Sequence, residues 1–551
     1  MRFEAFVGFL ERIRATTSRN EKVSIAASLL GSLRPREIRP AIYLMRGTVF
    51  PAHDQRELNV GWSTLWRAIS KLSAYGDEEL IELYKRAGDL GLLAERAMLK
   101  RKVAPLHVRE IELEDVYDTL VRVATLTGPS SAEHKERHIL GLLGQVSPPE
   151  AKYVVKIVAG EMRYGLREGL LEEAIAKAFG APLALIRRAN MLTSDLGFVA
   201  ETASKSVEEL ERLNIRLFRP VKHMLAEPSD TLEGAISYHG GKVAIEPKYD
   251  GCRLQVHKGG KEAKIYSRRL EDVTRSFPEL VSELVSIPHD FIIDGEAVYW
   301  KDGRPGPFQY LVRRLRRKED IDRVVRMYPS MFFAFDILYL DGASLVDRTY
   351  EERRKILEGV IPDGRHIACS ERFTFTNLDE ARRLFERSLE MGYEGLMIKD
   401  LESTYKPGRR GKHWFKYKEA LETLDLVVVM AEYGHGARAG LLSDYTFAAW
   451  DENHAELVPV GKAYSGLTDA EILDMTRRLR RLAVKEVGTR VYLEPKIVME
   501  VAFGDVQRSP RYPIGLALRF PRIKAIRDDL GLEDVDTVKR IRQIYEKLHG
   551  R

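Results

Sequence analysis

The chain has 551 residues, 44% of them hydrophobic and 31% charged, with a formal net charge of +6. That is the composition of a soluble globular protein of about three or four domains, and no apolar run approaches the roughly 18 residues of a membrane span. Two cysteines, Cys252 and Cys369, cannot build a disulfide framework or a Cys-rich zinc site, which fits a reducing cytoplasm.

Residues 1–220 read as helical. Apolar residues recur at helical spacing in Phe6, Phe9, Leu10 and Ile13, and again in Val154, Val155, Ile157 and Val158. The polar interruptions Glu4 and Glu11 make the first helix amphipathic rather than a signal peptide. The stretch DLGLLAE at 89–95 returns as DLGFVAE at 195–201, which suggests a duplicated helical substructure. From 221 to 418 the texture changes to β-branched and aromatic runs such as KVAIEPKYD, DFIIDGEAVYW and SMFFAFDILYL, with helices between them. This predicts an α+β domain with antiparallel sheets. Residues 419–551 are again β-rich, with a predicted helix over 470–487 and a closing helix over 537–548. A small β-barrel of the OB-fold type fits that pattern.

Chemistry points first to EPKYDGCR at 246–253, where Lys248 precedes an Asp-Gly turn. Further stretches offer groups to accompany it. These are Tyr266-Ser267-Arg268-Arg269, the strand Ile293 to Val298 with Asp294 and Glu296, and the aromatic strand Phe332 to Asp336. Two more are Glu394 to Lys399, and Trp414 to Lys418 with Lys416 and Lys418 on one strand face. Taken singly, each reads as an ordinary strand or a solvated charge. Together they supply a lysine nucleophile, carboxylates for a divalent cation, further cations and an aromatic platform. Covalent phosphoryl chemistry on a nucleotide needs these parts: the amine must lose its proton, and neighbouring cations favour that and neutralise phosphate charge.

KYDGCR, YSRR, DGEAV, FFAFD, EGLMIK and WFKYK stand in the order and spacing of the nucleotidyltransferase motifs of ATP-dependent DNA ligases. The whole chain resembles the archaeal and eukaryotic replicative type. The resemblance implies a helical DNA-binding domain (1–220), an adenylation domain (221–418) and an OB-fold domain (419–551). It implies sealing of nicks in duplex DNA with ATP and Mg²⁺ (or Mn²⁺), in replication, repair and recombination, by a cytoplasmic monomer with no membrane partner. Lys248 would be the adenylated nucleophile. Glu246 would read the adenine amino group, Arg253 would contact the ribose and phosphate end, and Arg268 would lie near the ribose or the nick phosphate. Glu296 would bind the ribose hydroxyl or a metal, and Glu394 would help bind metal. Phe335 would stack on adenine, and Lys416 and Lys418 would grip the phosphates. The segment Phe308 to Lys318 would be a DNA-facing basic stretch.

LRFPRIKAIRDDL at 518–530 resembles the last ligase motif, with Arg519, Arg522, Lys524 and Arg527 as the cations that orient pyrophosphate. Family members often carry a lysine where this chain has Leu530, so Lys524 or Arg527 would substitute. Archaeal relatives often hold a sliding-clamp peptide near residue 105, a Gln followed by two aromatics. KRKVAPLHVRE at 100–110 has neither. The alternatives are an RNA ligase or capping-type guanylyltransferase, and a non-enzymatic helical and OB-fold nucleic-acid binder in which EPKYDGCR is only a hairpin.

Overall fold

Twelve successive helices fill most of the first 205 residues: α1 (Phe3–Ala15), α2 (Arg19–Gly31), α3 (Pro35–Arg46), α4 (Trp62–Leu72), α5 (Asp77–Ala87), α6 (Leu90–Leu99), α7 (Leu113–Thr125), α8 (Ser131–Gln145), α9 (Pro148–Ala159), α10 (Glu168–Phe179), α11 (Leu183–Thr193) and α12 (Leu196–Lys205). The computed structural model describes residues 1–102, 110–306, 308–315, 320–374, 377–406, 410–418, 422–434, 438 and 440–549, apart from the side chains of residues 85, 309 and 410. Local chemistry sets the helix ends. Both α3 and α9 open with proline in the first turn and a glutamate at the third position, and both close on a left-handed glycine, Gly47 and Gly160.

The two stretches of the sequence echo lie at the starts of α6 and α12, and helices from the two halves of this region interleave. These two helices pack most extensively across halves, α6 on α9 and α12 on α3, and less extensively on neighbours of their own half, α6 on α4 and α12 on α10 and α11. Likewise α2 packs on α10 and α4 on α8. The capping glycines of α3 and α9 meet, so that a Cβ on Gly160 would lie 3.8 Å from the Gly47 carbonyl oxygen. Apolar residues such as Leu29, Leu44, Val154 and Val199 are fully buried in this interleaved core.

The chain divides into two compact units, Met1–Leu83 with Leu90–Glu419 and Tyr84–Asp89 with Ala420–Arg551. In the first, the strands after the helices are β1 (Leu225–Pro228), β2 (Val243–Lys248), β3 (Cys252–Gly259), β4 (Glu262–Ser267), β5 (Phe291–Lys301), β6 (Arg304–Pro305), β7 (Ser330–Leu340), β8 (Ala343–Ser344), β9 (Ile367–Cys369), β10 (Gly395–Asp400) and β11 (Arg410–Lys418). They form two sheets, one ordered β1-β11-β10-β2 and the other β4-β3-β5-β7-β8, with β6 added to β5 and β9 to β7. Pairing is antiparallel as expected, save for the parallel pairs β1–β11 and β7–β9. The chain crosses from one sheet to the other at Tyr249-Asp250-Gly251, so Lys248 ends a strand of the first and Arg253 lies at the start of one in the second. Gly251 is required there, because a Cβ would lie 2.3 Å from the Ala297 carbonyl oxygen.

The second unit holds β12 (Thr423–Tyr433), β13 (Leu442–Asp451), β14 (Glu456–Ala463), β15 (Ala483–Val487), β16 (Arg490–Leu493), β17 (Val498–Ala502), β18 (Asp505–Arg508), β19 (Leu516–Arg519) and β20 (Arg522–Ile526). Seven of them form one antiparallel sheet around a buried core, in the order β14-β13-β12-β16-β15 with β17 joining β12 to β20. This is the OB-type barrel expected of the region. The helix predicted over 470–487 ends at Arg481; Ala483–Val487 is an exposed strand paired to β16. The turn at Gly488, with φ +64°, and the β-branched Val484 and Val487 favour strand over helix. Among the described residues no helix is long and apolar enough to cross a membrane.

Candidate active site

Strand register builds the site. β2 pairs with β10 so that Lys248 lies opposite Gly395, and β10 pairs with β11 so that Gly395 also lies opposite Lys418. Glu394, just before β10, is thereby set between the two lysines, and its carboxylate is ion-paired to both Lys248 and Lys418. Burial would raise the Glu394 pKa; the two ammonium groups outweigh it and hold the carboxyl at about 2. Burial, reinforced by the neighbouring Lys248, pulls the Lys418 amine below its ordinary value. Lys416 lies two residues earlier on β11 and shares a pleat face with Lys418 and Trp414. The opposite face, Phe415 and Tyr417, packs into a separate apolar cluster.

Glu296 stands on β5 opposite Arg253 of β3. Its carboxyl is pushed up to about 7, chiefly by burial, with Glu394 and Asp250 adding to the push and Lys248 and Arg253 opposing it. A carboxyl so disfavoured as an anion, beside a second carboxylate, is relieved by a cation. The pair Glu296 and Glu394 therefore fits a hard divalent ion that takes its remaining oxygens from phosphates and water. Among the described residues no group of three or more His, Cys, Asp or Glu side chains is arranged to enclose a metal.

Behind these charges lies an aromatic pocket. Trp414 and Tyr350 are fully buried, and Phe335 packs against their cluster. Glu246 is 2% exposed and accepts hydrogen bonds from Lys399 Nζ (2.7 Å), Ser370 Oγ (3.2 Å) and the Tyr350 hydroxyl. The Lys399 ammonium lies 4.4 Å from the Phe335 ring centre and 4.6 Å from that of Trp414. Arg253 reaches the pocket from the other side, 5.3 Å from the Phe335 ring. Its guanidinium is held by Asp294 Oδ2 at 2.7 Å and the Met224 carbonyl at 2.6 Å. Burial disfavours the Asp294 anion, yet Arg253 and His223 keep its carboxyl far below the usual range.

The structure thus brings Lys248, Glu246, Arg253, Glu296, Phe335, Glu394 and Lys418 together where the two sheets meet, with Lys416 on the same strand face as Lys418. Arg268 does not join them; it stands exposed beyond the end of β4. Arg519 belongs to the other unit, at the end of β19, with its guanidinium 4.9 Å from the Phe520 ring. Leu530 packs against the small apolar cluster of Val427, Ala448, Val498 and Val535, which explains an apolar residue at that position. Arg527 is occupied by Asp425 (3.1 Å) and Asp529 (2.7 Å), whereas Lys524 is exposed and takes no ion pair among the described residues.

The expectation of a DNA-facing stretch over 308–318 is corrected at Arg314. That side chain is 1% exposed and bound to Glu279, Ser276 and the Tyr328 carbonyl. Residues 316–318 and the 103–109 part of the clamp-peptide region lie outside the described residues. Sequence reasoning missed the partners of Glu246 and Arg253. Lys399 was visible as the end of EGLMIK, but Tyr350 and Ser370 carry no local pattern, nor does Tyr405, whose hydroxyl donates to Asp294 and lies 3.5 Å from the Arg253 guanidinium.

Residues 2–176 match the model of the DNA ligase N terminus, 223–418 that of the ATP dependent DNA ligase domain, and 438–530 that of the ATP dependent DNA ligase C terminal region. The DNA ligase of Thermococcus fumicolans is 41% identical over 549 residues, covering 99% of this chain and 98% of that one. The DNA ligase of Methanopyrus kandleri is 40% identical over 555 residues, covering 100% and 99%. That of Archaeoglobus fulgidus is 38% identical over 549 residues, covering 99% of each. The solved structure named Pmar-Lig_PreS3 shares the fold, with a TM-score of 0.60 at 17% identity over 95% of this chain and 99% of that one. Family models over all three regions and full-length identity near 40% lead to one conclusion: the chain belongs to the ATP-dependent DNA ligases.

Proposed function

We propose that this ligase seals nicks through Lys248, with the residue roles that follow. Lys248 gives up its ammonium proton to solvent and the amine attacks the α-phosphate of ATP; a P–N bond forms as the nitrogen releases a second proton to solvent, the bond from the α-phosphorus to the bridging oxygen breaks, and pyrophosphate leaves. The 5′-phosphate of the nick then attacks the lysyl-AMP phosphorus, the P–N bond breaks, and a DNA-adenylate forms. Finally the 3′-hydroxyl loses its proton and attacks the 5′-phosphate, forming the phosphodiester and expelling AMP.

The observation that carries this reading is the Lys248–Glu394–Lys418 arrangement, two ammonium groups converging on one carboxylate. Glu246, held in place by Lys399, Ser370 and Tyr350, presents its edge to the base. Phe335 supplies the stacking face, and Arg253, fixed by Asp294, meets the ribose and phosphate end. Lys416 and Lys418 draw the triphosphate, and as Lys418 turns from Glu394 to phosphate it leaves the carboxylate to its other partners. Mg²⁺ (or Mn²⁺), held by Glu296 and Glu394, would neutralise phosphate charge. Arg268, exposed outside the group around Lys248, is better placed for the nick phosphate than for the ribose. Arg519 and Lys524 orient the pyrophosphate, with Lys524 in place of the lysine that Leu530 lacks. The enzyme acts as a monomer on nicked duplex DNA in replication, repair and recombination, gripping backbone rather than reading bases.

Incubation with α-labelled ATP and Mg²⁺ leaves label on the protein, and Lys248→Ala abolishes it. Label persisting on that variant overturns the assignment. Running GTP beside ATP, and RNA ends beside nicked DNA, separates this reading from a capping or RNA-ligase activity.

A further inference from the structure

Away from the nucleotide cleft, a cavity of about 280 Å³ opens in the helical region, where the α3–α4 loop, the start of α12 and the linker at 216–219 converge. Four arginines line it: Arg39, Arg56, Arg216 and Arg219. The carboxylates beside them are already engaged. Asp54 is held by Arg56, with Nη2 at 2.6 Å and Nε at 3.0 Å. Asp195 accepts from the Tyr43 hydroxyl at 2.7 Å and from the Phe198 backbone at 2.9 Å. Arg39 uses one terminal nitrogen on Glu201, at 2.8 Å.

Donor capacity is left over. Arg216 and Arg219 are exposed, line the cavity, and take no ion pair among the described residues. Arg39 Nε and His53 Nδ1 are buried atoms without a hydrogen-bond partner. Burial pulls the His53 imidazole below its ordinary value; Asp195 opposes this and Arg219 adds to it. The guanidiniums are also pre-positioned: Arg39 lies 5.2 Å from the Phe198 ring and Arg56 lies 4.1 Å from the Phe50 ring. Planar forks around a small polar hollow match carboxylate and phosphate oxygens alike, and several guanidiniums together suit the more highly charged phosphate. The same loop touches the catalytic region, since Gln55 Nε2 donates to the Leu270 carbonyl and Gln55 Oε1 accepts from the Asp272 backbone.

We propose that this cavity binds a phosphoryl oxyanion that bridges Arg216 and Arg219 of the linker to Arg39 of the helical region. The anion comes either from free pyrophosphate or from a backbone phosphate of bound DNA. Occupancy would pin the linker against the helices.

The test uses the full chain without nucleotide or divalent metal, with inorganic pyrophosphate as the titrant in calorimetry and nicked duplex in a separate binding assay. The variants are Arg216→Gln/Arg219→Gln and the charge-keeping Arg216→Lys/Arg219→Lys. Because neither arginine has an ion-pair partner, both variants are expected to melt as the parent does and to label with ATP at the parental rate. A free-anion site predicts that the Gln variant loses about tenfold in pyrophosphate affinity with duplex binding unchanged, and that the Lys variant recovers only part of it. A backbone-phosphate site predicts the reverse: unchanged pyrophosphate binding, about tenfold weaker duplex binding, and a salt slope smaller by about one to two. If pyrophosphate affinity, duplex affinity and salt slope all match the parent, the proposal is overturned.

Discussion

Lys399 shows how much of the aromatic pocket rests on one buried pair. It is 1% exposed and bonded to Glu246, itself 2% exposed, with aromatic rings around it. Burial pulls the Lys399 amine down, and Glu246 holds it up. Removing one partner of such a pair strands a charge, which typically costs about 3–5 kcal/mol. Lys399→Ala is therefore expected to lower the melting temperature and to abolish labelling by ATP. The double variant Lys399→Met/Glu246→Met is expected to regain most of the lost stability, since replacing both partners with apolar groups of similar volume is often neutral. It should stay unlabelled if Glu246 recognises the base. Thermal melting and labelling, run on both variants, check the split. Recovery of labelling in the double variant would remove Glu246 from nucleotide recognition. The pair also marks a limit of sequence reading. A lysine after Met397-Ile398 looks like the end of a strand, and nothing local says that its charge points inward to Glu246, about 150 residues away in the chain.

At the scale of elements, the turn between β2 and β3 carries the strictest requirement. A methyl group on Gly251 would meet backbone, 2.3 Å from the Ala297 oxygen, and backbone cannot step aside as a flexible side chain can. Gly251→Ala should displace the turn that aims Lys248 and cut the rate of self-labelling far more than it lowers thermal stability; a single-turnover labelling rate measures it. A second element-level case lies between α1 and α9. Lys152, 3% exposed, holds Glu11 at 2.7 Å and Glu95 at 2.8 Å. Burial would raise the Glu11 carboxyl; Lys152 and Arg14 outweigh it and hold it at about 2. A depressed carboxyl stabilises the fold above its ordinary pKa of 4.5 and loses that contribution as pH falls from there towards 2. Allowing for solvent at this partly exposed group, the amount is about 1–2 kcal/mol. Glu11→Gln should lower stability by that much at pH 7 and match the parent near pH 2, as denaturant melts at several pH values would reveal. Elements were legible where the pattern was local: the strand alternation of WFKYK sorts Trp414, Lys416 and Lys418 from Phe415 and Tyr417 as read. Where pattern was ambiguous, at 483–487, the alternating Lys485 and Glu486 suited a helix face as well as an exposed edge strand, and pairing with β16 decided it.

For the molecule as a whole, the interleaved helices of the first 205 residues decide what can fold alone. The DLG echo marks two similar segments but not the packing, because similarity between two segments says nothing about which partners each one packs against. The observed wiring is crossed: α2 lies on α10, α3 on α12, α6 on α9 and α4 on α8. Each half therefore leaves its apolar faces bare without the other. Leu29, Leu30, Ile42 and Leu44, all fully buried, sit on the helices α2 and α3 that the second half covers. Burial of a Leu or Ile contributes about 1.5–3 kcal/mol per side chain, so losing several such faces exceeds the whole stability of a typical domain, about 5–15 kcal/mol. A fragment of residues 1–102 is then expected to lack cooperative unfolding and to bind a hydrophobic dye, whereas residues 1–220 together should melt cooperatively. Hydrogen exchange on the intact protein offers the sharper measurement. α3 and α12 should open together, as should α6 and α9, because each helix loses its cover when its partner leaves. Exchange that instead groups α1 to α6 against α7 to α12 would mean that the two halves are separable domains, and the crossed packing would then contribute little to the stability of either.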